Sequence, residues 1–160
     1  MIVVADSGPL HYLVLLDQVD LLARFYGGVL IPEAVMSELS HRGAPAKVIR
    51  WLSVPPPWLR TVSPAPAVID SITSELDLGE REAIALASQV HADLILIDEW
   101  AGRIEARRRG LRLTGTLGVL RVAGERNLID VPKVLEQLQA TNFYIDEDLI
   151  RVAFGKWLGS

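Results

Sequence analysis

The sequence of 160 residues contains no cysteine. That absence excludes a disulfide framework, a thiolate zinc site and a cysteine nucleophile, and it fits a reducing interior. Any metal must be held by oxygen or imidazole. Histidine is scarce, and His11, His41 and His91 stand at no metal-ligand spacing, so none is assigned a catalytic role. Lysine is confined to Lys47, Lys133 and Lys156, none after a predicted strand, which argues against a receiver-type phosphorylation domain. A phosphotransferase with an aspartate nucleophile would need a second acid two residues after Asp6, where Gly8 stands. There is neither a P-loop nor a dinucleotide-binding glycine fingerprint. No apolar run approaches the roughly 18 residues of a membrane span, and no basic stretch precedes the first apolar run. The expectation is a soluble, cytoplasmic protein with no membrane contact. A net charge of −4 argues against a uniformly basic nucleic-acid coat. What the chain does have is apolar residues, 50% of the total, enough to offset the entropy of ordering one domain with a real core. We expect a single domain over residues 1–160, with the helices from about residue 131 appended to the same core.

Short apolar runs alternate with helical patterns. Ile2 to Ala5, Val29 to Ile31, Leu59 to Val62, Ala92 to Ile97 and Leu111 to Thr114 read as strands. Ser7 is placed as the N-cap of a first helix with Pro9 in its first turn, and further helices are predicted over Val19 to Phe25, Pro32 to His41 and Ala46 to Leu52. Pro55-Pro56-Pro57 is a rigid linker that no helix can cross. The remaining helices are predicted over Val68 to Leu76, Asp77 to Val90, Glu99 to Arg109, Gly115 to Gly124, Val131 to Ala140 and Asp146 to Leu158. This alternation indicates an α/β fold with a mainly parallel sheet, whose ligands bind beyond the carboxyl ends of the strands.

Four carboxylates fall where burial or a sheet edge is expected. Asp6 and Asp98 each end an apolar strand, so both should emerge at the same edge of a parallel sheet; alone, each could simply cap the helix that follows. Glu38 lies on the apolar stripe of its helix, after Ala34 and Val35 and beside Leu39, unless it is a partly exposed residue at the helix end. Glu80 precedes Ala83, Ile84 and Ala87 on a buried stripe, although Asp77-Leu78-Gly79-Glu80 also fits an acidic capping box. Glu82 is the reserve for the third position. Isolated buried charges cost several kcal/mol, so such side chains must be paired, protonated or metal-bound. Four of them without cysteine make an all-oxygen cage suited to Mg²⁺ or Mn²⁺ and poorly suited to zinc. The chemistry implied is phosphodiester hydrolysis, the usual work of such carboxylate metal sites.

The segments Ile2 to Leu10, Ile31 to Leu39, Leu78 to Ala87 and Ala92 to Asp98, continuing through Ala101-Gly102-Arg103 to Thr114-Gly115-Thr116-Leu117-Gly118-Val119-Leu120, resemble a PIN domain from end to end. This is the fold of the VapC-like ribonuclease toxins, and the last segment is especially like prokaryotic PIN proteins described only as predicted nucleic-acid-binding proteins. The resemblance implies a PIN-like (5′-nuclease-like) three-layer α/β/α architecture with a mainly parallel central sheet. It places the family's acidic quartet on Asp6, Glu38, Glu80 and Asp98, as catalytic residues and metal ligands. It matches Ser7 to a hydroxyl beside the metal, and Thr114 and Thr116 to small polar positions near the site. Two departures stand out. The third acid is more often aspartate in the toxins, and many relatives carry an extra acid where this chain has Trp100, leaving Glu99 as the nearest substitute, behind the ligands or on a second metal.

Around that acidic centre the charge reverses. Arg103, Arg107, Arg108, Arg109, Arg112 and Arg121 face a single acid, Glu105, a local charge of +5. Guanidinium forks suit phosphate, and Arg103, Arg107 and Arg112 are the expected RNA contacts, Arg103 first because it lies one turn beyond Glu99. The four tryptophans are expected in the core or at interfaces rather than against bases. The expected activity is divalent-metal-dependent endoribonuclease cleavage of single-stranded RNA by metal-activated water, as the toxin of a type II toxin–antitoxin pair. The partners implied by resemblance are a small antitoxin and a second copy in a homodimer. The alternative is a non-catalytic PIN-fold module that binds nucleic acid or protein, with a degraded metal site.

Overall fold

A computed structural model describes residues 1–159. The chain divides into two compact units, Met1–Thr116 and Leu117–Ser160. The first holds β1 (Val3–Ala5), α1 (Ser7–Leu15), α2 (Leu21–Tyr26), β2 (Val29–Ile31), α3 (Glu33–Leu39), α4 (Ala46–Ser53), β3 (Leu59–Thr61), α5 (Pro66–Asp70), α6 (Leu78–Gln89), β4 (Leu94–Leu96), α7 (Trp100–Arg108) and β5 (Leu113–Thr114). Among the described residues the sheet has five strands in the order β3-β2-β1-β4-β5, all parallel. This bears out the expected α/β class. The three central strands, β2, β1 and β4, are short and apolar on both faces, with Val3, Val4, Ala5, Val29, Ile31, Ile95 and Leu96 all buried, as a parallel sheet covered by helices requires. Helix α6 packs on β1 and β4 and against α3, α5 and α7, driven by its run Ala83 to Ala87, each 0% exposed.

The second unit carries α8 (Thr116–Glu125), which opens on the last residue of the first unit, then α9 (Val131–Gln139), α10 (Glu147–Phe154) and a 3-10 turn (Gly155–Trp157). Asp130 and Asp146 cap the last two helices, accepting from the Lys133 amide and from the Asp148 and Leu149 amides. The helix predicted through Leu158 instead ends at Phe154 and tightens into the 3-10 turn, a common way for a last turn to satisfy its carbonyls.

Two further expectations are corrected. The helix predicted over Val68 to Leu76 is only the five residues of α5. Its carbonyls are claimed from outside: Arg81 donates to Ile69 and Ile72, and Arg109 to Ser71. The Ser71 hydroxyl also donates to the Val68 carbonyl, so side chains compete with the helical ladder. At α1, Asp6 rather than Ser7 occupies the N-cap position, with an extended backbone (φ −79°, ψ 170°). Ser7 is already helical, and its hydroxyl is used elsewhere.

Candidate active site

The strand order places β1 at the centre, with β2 on one side and β4 on the other. The crevice between β1 and β4 is therefore a topological switch point, the position where parallel α/β sheets bind ligands beyond their carboxyl ends. Val3, Val4 and Ala5 pair with Leu94, Ile95 and Leu96, and the Asp6 amide still donates to the Leu96 carbonyl at 2.9 Å. Asp6 and Asp98 thus leave neighbouring strands at one edge, as the strand ends predict.

Asp6 is 4% exposed, and its Oδ1 is buried with no hydrogen-bond partner. Burial holds its carboxyl well above the usual range; the Ser7 backbone amide opposes this, while Glu38, Glu80 and Asp77 push it further up. Glu80 faces it from the first turn of α6, 6% exposed. Both readings of Glu80 hold at once. Asp77 Oδ1 accepts from the Glu80 amide at 2.9 Å, and the Asp77 amide returns toward the Glu80 carboxyl, completing the capping box. Burial, then the Asp77, Glu99 and Glu38 charges, nevertheless raises that carboxyl to about 7 against the pull of the Asp77 amide.

Glu38 differs from expectation. It is exposed, because Val35 and Leu39 take the core face of α3 and leave Glu38 on the flank of the stripe in the last turn. Its carboxylate is still anchored. Oε2 accepts from Ser7 Oγ at 2.6 Å, the Gly79 amide bonds it, and partial burial still raises it above its ordinary value. A methyl group at Gly79 would overlap this carboxylate and push it aside, so the place that Glu38 takes depends on glycine there. Glu82 turns to a different task, with Oε1 accepting from the Ala34 amide in the first turn of α3 at 3.4 Å.

Asp98 has both oxygens engaged. Oδ1 accepts from the Thr116 amide and Oδ2 from Thr116 Oγ1, each at 2.7 Å, and Thr116 is 0% exposed. It is therefore held by Thr116 and does not cap α7, whose N-cap is Glu99. Burial raises the Asp98 carboxyl, opposed by the two Thr116 bonds and by Arg103, whose NH1 donates to the Ile97 carbonyl at 3.3 Å. Gly115 lies so close to Oδ1 that a β-carbon would overlap it, and on the other side Oδ2 would stand 3.3 Å from a β-carbon at Gly8. Thr114 contributes its backbone, accepting from the Ile97 amide at 2.9 Å.

Two groups of carboxylates result. Asp6, Glu38, Glu80 and Asp77 form one, and Asp98 with Thr116 and Arg103 forms the other. Glu99, exposed at the N-cap of α7, adds its charge to both Glu80 and Asp98. Among the described residues no three histidine or acidic side chains stand close enough together to hold an ion as placed. The donor set is all oxygen, as Mg²⁺ or Mn²⁺ prefers, and the orphaned Asp6 oxygen is the atom most in need of a cation. The chemistry of the residues therefore fits a divalent ion, provided their side chains close up around it.

Of the expected RNA contacts, Arg107 and Arg112 are exposed and Arg103 is half-buried. Burial lowers the Arg103 guanidinium, Asp98 opposes this, and neighbouring Arg107 reinforces it. The basic run is less free than its sum. Arg108 and Arg109 are both paired with buried Glu105, at 3.3 and 3.1 Å, and Arg121 with Glu125 at 3.5 Å.

Asp77 and Tyr12 were missed as neighbours of the carboxylates. Asp77, taken as a cap alone, electrostatically touches Asp6, Glu38 and Glu80. Tyr12 is raised by burial and by the nearby Asp98 and Glu99 charges. Trp100, expected in the core or at an interface, is 71% exposed. A D-x-x-E cap preceding a candidate ligand and the helical phase of Trp100 were the available signals. No helix is long and apolar enough to cross a membrane among the described residues. A family model described as a PIN domain matches residues 2–157. No curated protein matches the chain.

Proposed function

Because the chain belongs to the PIN-domain family, whose members generally have nuclease activity and typically use divalent metal ions, we propose that it is a metal-dependent endoribonuclease of single-stranded RNA, working in the cytoplasm as the toxin of a toxin–antitoxin pair. In this reading residues 1–160 act as one PIN-like domain, with the C-terminal helices appended to its core. The carrying observation is Asp6: a buried carboxylate with an orphaned oxygen, at the switch point of a parallel sheet, among other carboxylates raised by burial and mutual repulsion.

Asp6, Glu38, Glu80 and Asp98 would hold Mg²⁺ or Mn²⁺, with Glu99 beside them. The ion would supply charge neutralisation to the pocket and a Lewis acid for water and phosphate. Ser7 fixes the Glu38 carboxylate, Thr116 fixes Asp98 through both oxygens, and Thr114 holds β5 against the end of β4. Arg103, Arg107 and Arg112 would hold the phosphate backbone, with Arg103 nearest the reacting centre. Glu80 is lifted to about 7 by burial and by the Asp77, Glu99 and Glu38 charges, and an ion beside it would favour its ionised form. A small antitoxin and a second copy of the chain are the proposed protein partners.

The second reading, a binding module without catalysis, draws on two observations: both Asp98 oxygens already accept from Thr116, and the carboxylates do not converge as placed. One experiment separates them. Purified protein should cut single-stranded RNA with Mn²⁺ and not with chelator, and Asp6→Asn should abolish cutting while keeping the fold. RNA binding without cleavage under any divalent ion would favour the binding module.

A further inference from the structure

Trp100 departs from the other tryptophans. Trp51 and Trp58 pack on each other with ring centres 6.1 Å apart, and Trp157 packs on Phe154 at 6.0 Å under the Lys156 ammonium. Trp100 is 71% exposed, with no ring or cation partner among the described residues. It opens α7, two residues after Asp98, so at most about 7 Å of chain separates their α-carbons. On a helix its neighbours in phase are Arg103, Ile104 and Arg107, while Gly102, Glu105 and Ala106 form the buried side. Ile104 is 40% exposed. The outward face of α7 therefore presents, in order from the carboxylates, an indole, a half-buried guanidinium, an aliphatic side chain and an exposed guanidinium. Its acid, Glu105, is already neutralised from behind by Arg108 and Arg109.

An indole face, followed by the Arg103 guanidinium beside Asp98 and the exposed, unpaired Arg107 and starting beside an acidic centre, matches the chemistry of a single strand: bases with π-faces on a chain of phosphates. We infer that Trp100 is the platform on which a nucleobase flanking the reacting phosphate stacks, with Arg107 holding the next phosphate along α7. This rests on the nuclease reading for what happens at the carboxylates, but the platform binds through its own residues. A stack of this kind grips any base, so the expected contribution is affinity and register rather than a strict sequence code.

The test uses the full chain, fluorescein-labelled short oligouridylate and the same strand carrying abasic sites, with chelator present so that the strand stays intact. Trp100→Ala should weaken oligouridylate binding about tenfold or more, the range typical of one lost stack, and Trp100→Phe should keep most of the affinity. The abasic strand should bind wild type as weakly as the intact strand binds Trp100→Ala. Wild-type tryptophan emission should be quenched by oligouridylate, and that quenching should vanish in Trp100→Phe. Unchanged affinity in Trp100→Ala overturns the inference, as does an equal loss on the abasic strand. A change in sedimentation with unchanged RNA affinity would assign the face to a second copy and also overturn it. Cleavage with Mn²⁺ is scored on the same preparations. Trp100-dependent binding without cleavage sinks the nuclease reading and keeps the platform; cleavage with Trp100-independent binding does the reverse.

Discussion

Glu80→Gln should stabilise the metal-free protein above neutral pH while removing its response to Mn²⁺. The sign follows from the raised carboxyl, moved from 4.5 to about 7 by burial and by the Asp77, Glu99 and Glu38 charges. Below pH 4.5 the group is protonated in the folded and unfolded chains alike, so it contributes no pH dependence. Between 4.5 and 7 only the unfolded chain releases the proton, and folding becomes progressively less favourable as pH rises. Above 7 both states are ionised and the full penalty is in place, on the order of 3 kcal/mol from about 1.4 kcal/mol per unit of pKa. Glutamine preserves the shape and can still accept from the Asp77 amide, but it cannot ionise. At pH 8 in chelator the variant should therefore melt higher than wild type, by roughly 5–10 °C for a chain of this size; at pH 4 the two should coincide. Adding Mn²⁺ should raise the wild-type midpoint and leave the variant nearly unmoved, since a neutral amide is a poorer ligand for a hard ion. Thermal unfolding followed by circular dichroism from pH 4 to 9, with and without Mn²⁺, reads all three. A variant no more stable than wild type at pH 8 would refute the claim that Glu80 is held in place against its own charge.

Gly79→Ala should fold, because alanine is the better helix former by about 1 kcal/mol, yet it should lose at least tenfold in Mn²⁺-dependent cleavage as the new methyl displaces the Glu38 carboxylate; unchanged cleavage would show that Glu38 is not needed where it lies. Ser7→Ala should release the same carboxylate, weakening Mn²⁺ affinity in a titration by about tenfold, the lower end of what one hydrogen bond to a charged group is worth. Thr116→Val keeps the volume but removes the hydroxyl bond that lowers Asp98. The acidic limb of the cleavage profile should then move to higher pH, at a stability cost of about 1–3 kcal/mol; a profile that stays in place would separate Asp98 from the activity.

The centre of the sheet was legible because β1, β2 and β4 are two-sided apolar runs bounded by residues that cannot continue them. Asp6 and Asp98 were legible for the same reason, since a carboxylate after a buried strand has nowhere to go but the edge. What the pattern could not convey was competition from outside an element. Nothing local in Val68 to Leu76 reveals that Arg81 and Arg109 will take its carbonyls. Likewise the exposure of Glu38 depends on which flank of α3 meets α6, a question of packing and not of period. Ser7 looked like a cap because serine before a helix usually is one; its bond to a residue 31 positions away in sequence has no local trace. The outward position of Trp100 follows from its phase opposite Gly102 and Ala106, whereas its residue type alone left core and interface equally open.

The two aspartates at the strand ends now separate in role. Asp98 meets donors on both oxygens, so it is positioned before any ligand arrives. Asp6 is more deeply placed but has one oxygen with none. A buried polar atom left in that state costs free energy that folding elsewhere must offset. A ligand that binds only the folded chain returns stability in proportion to its saturation, about 2.7 kcal/mol at a hundredfold excess over its dissociation constant. The imbalance between the two aspartates therefore predicts where the pocket should tighten on loading: around Asp6, Glu38 and Glu80, where repulsion is unrelieved, and not around Asp98, whose bonds to Thr116 are already made. Hydrogen exchange with and without Mn²⁺ would see this as added protection at the amides of Ser7 and Gly79, with Thr116 unchanged. Equal protection at all three would mean that Asp98 is no more fixed beforehand than Asp6.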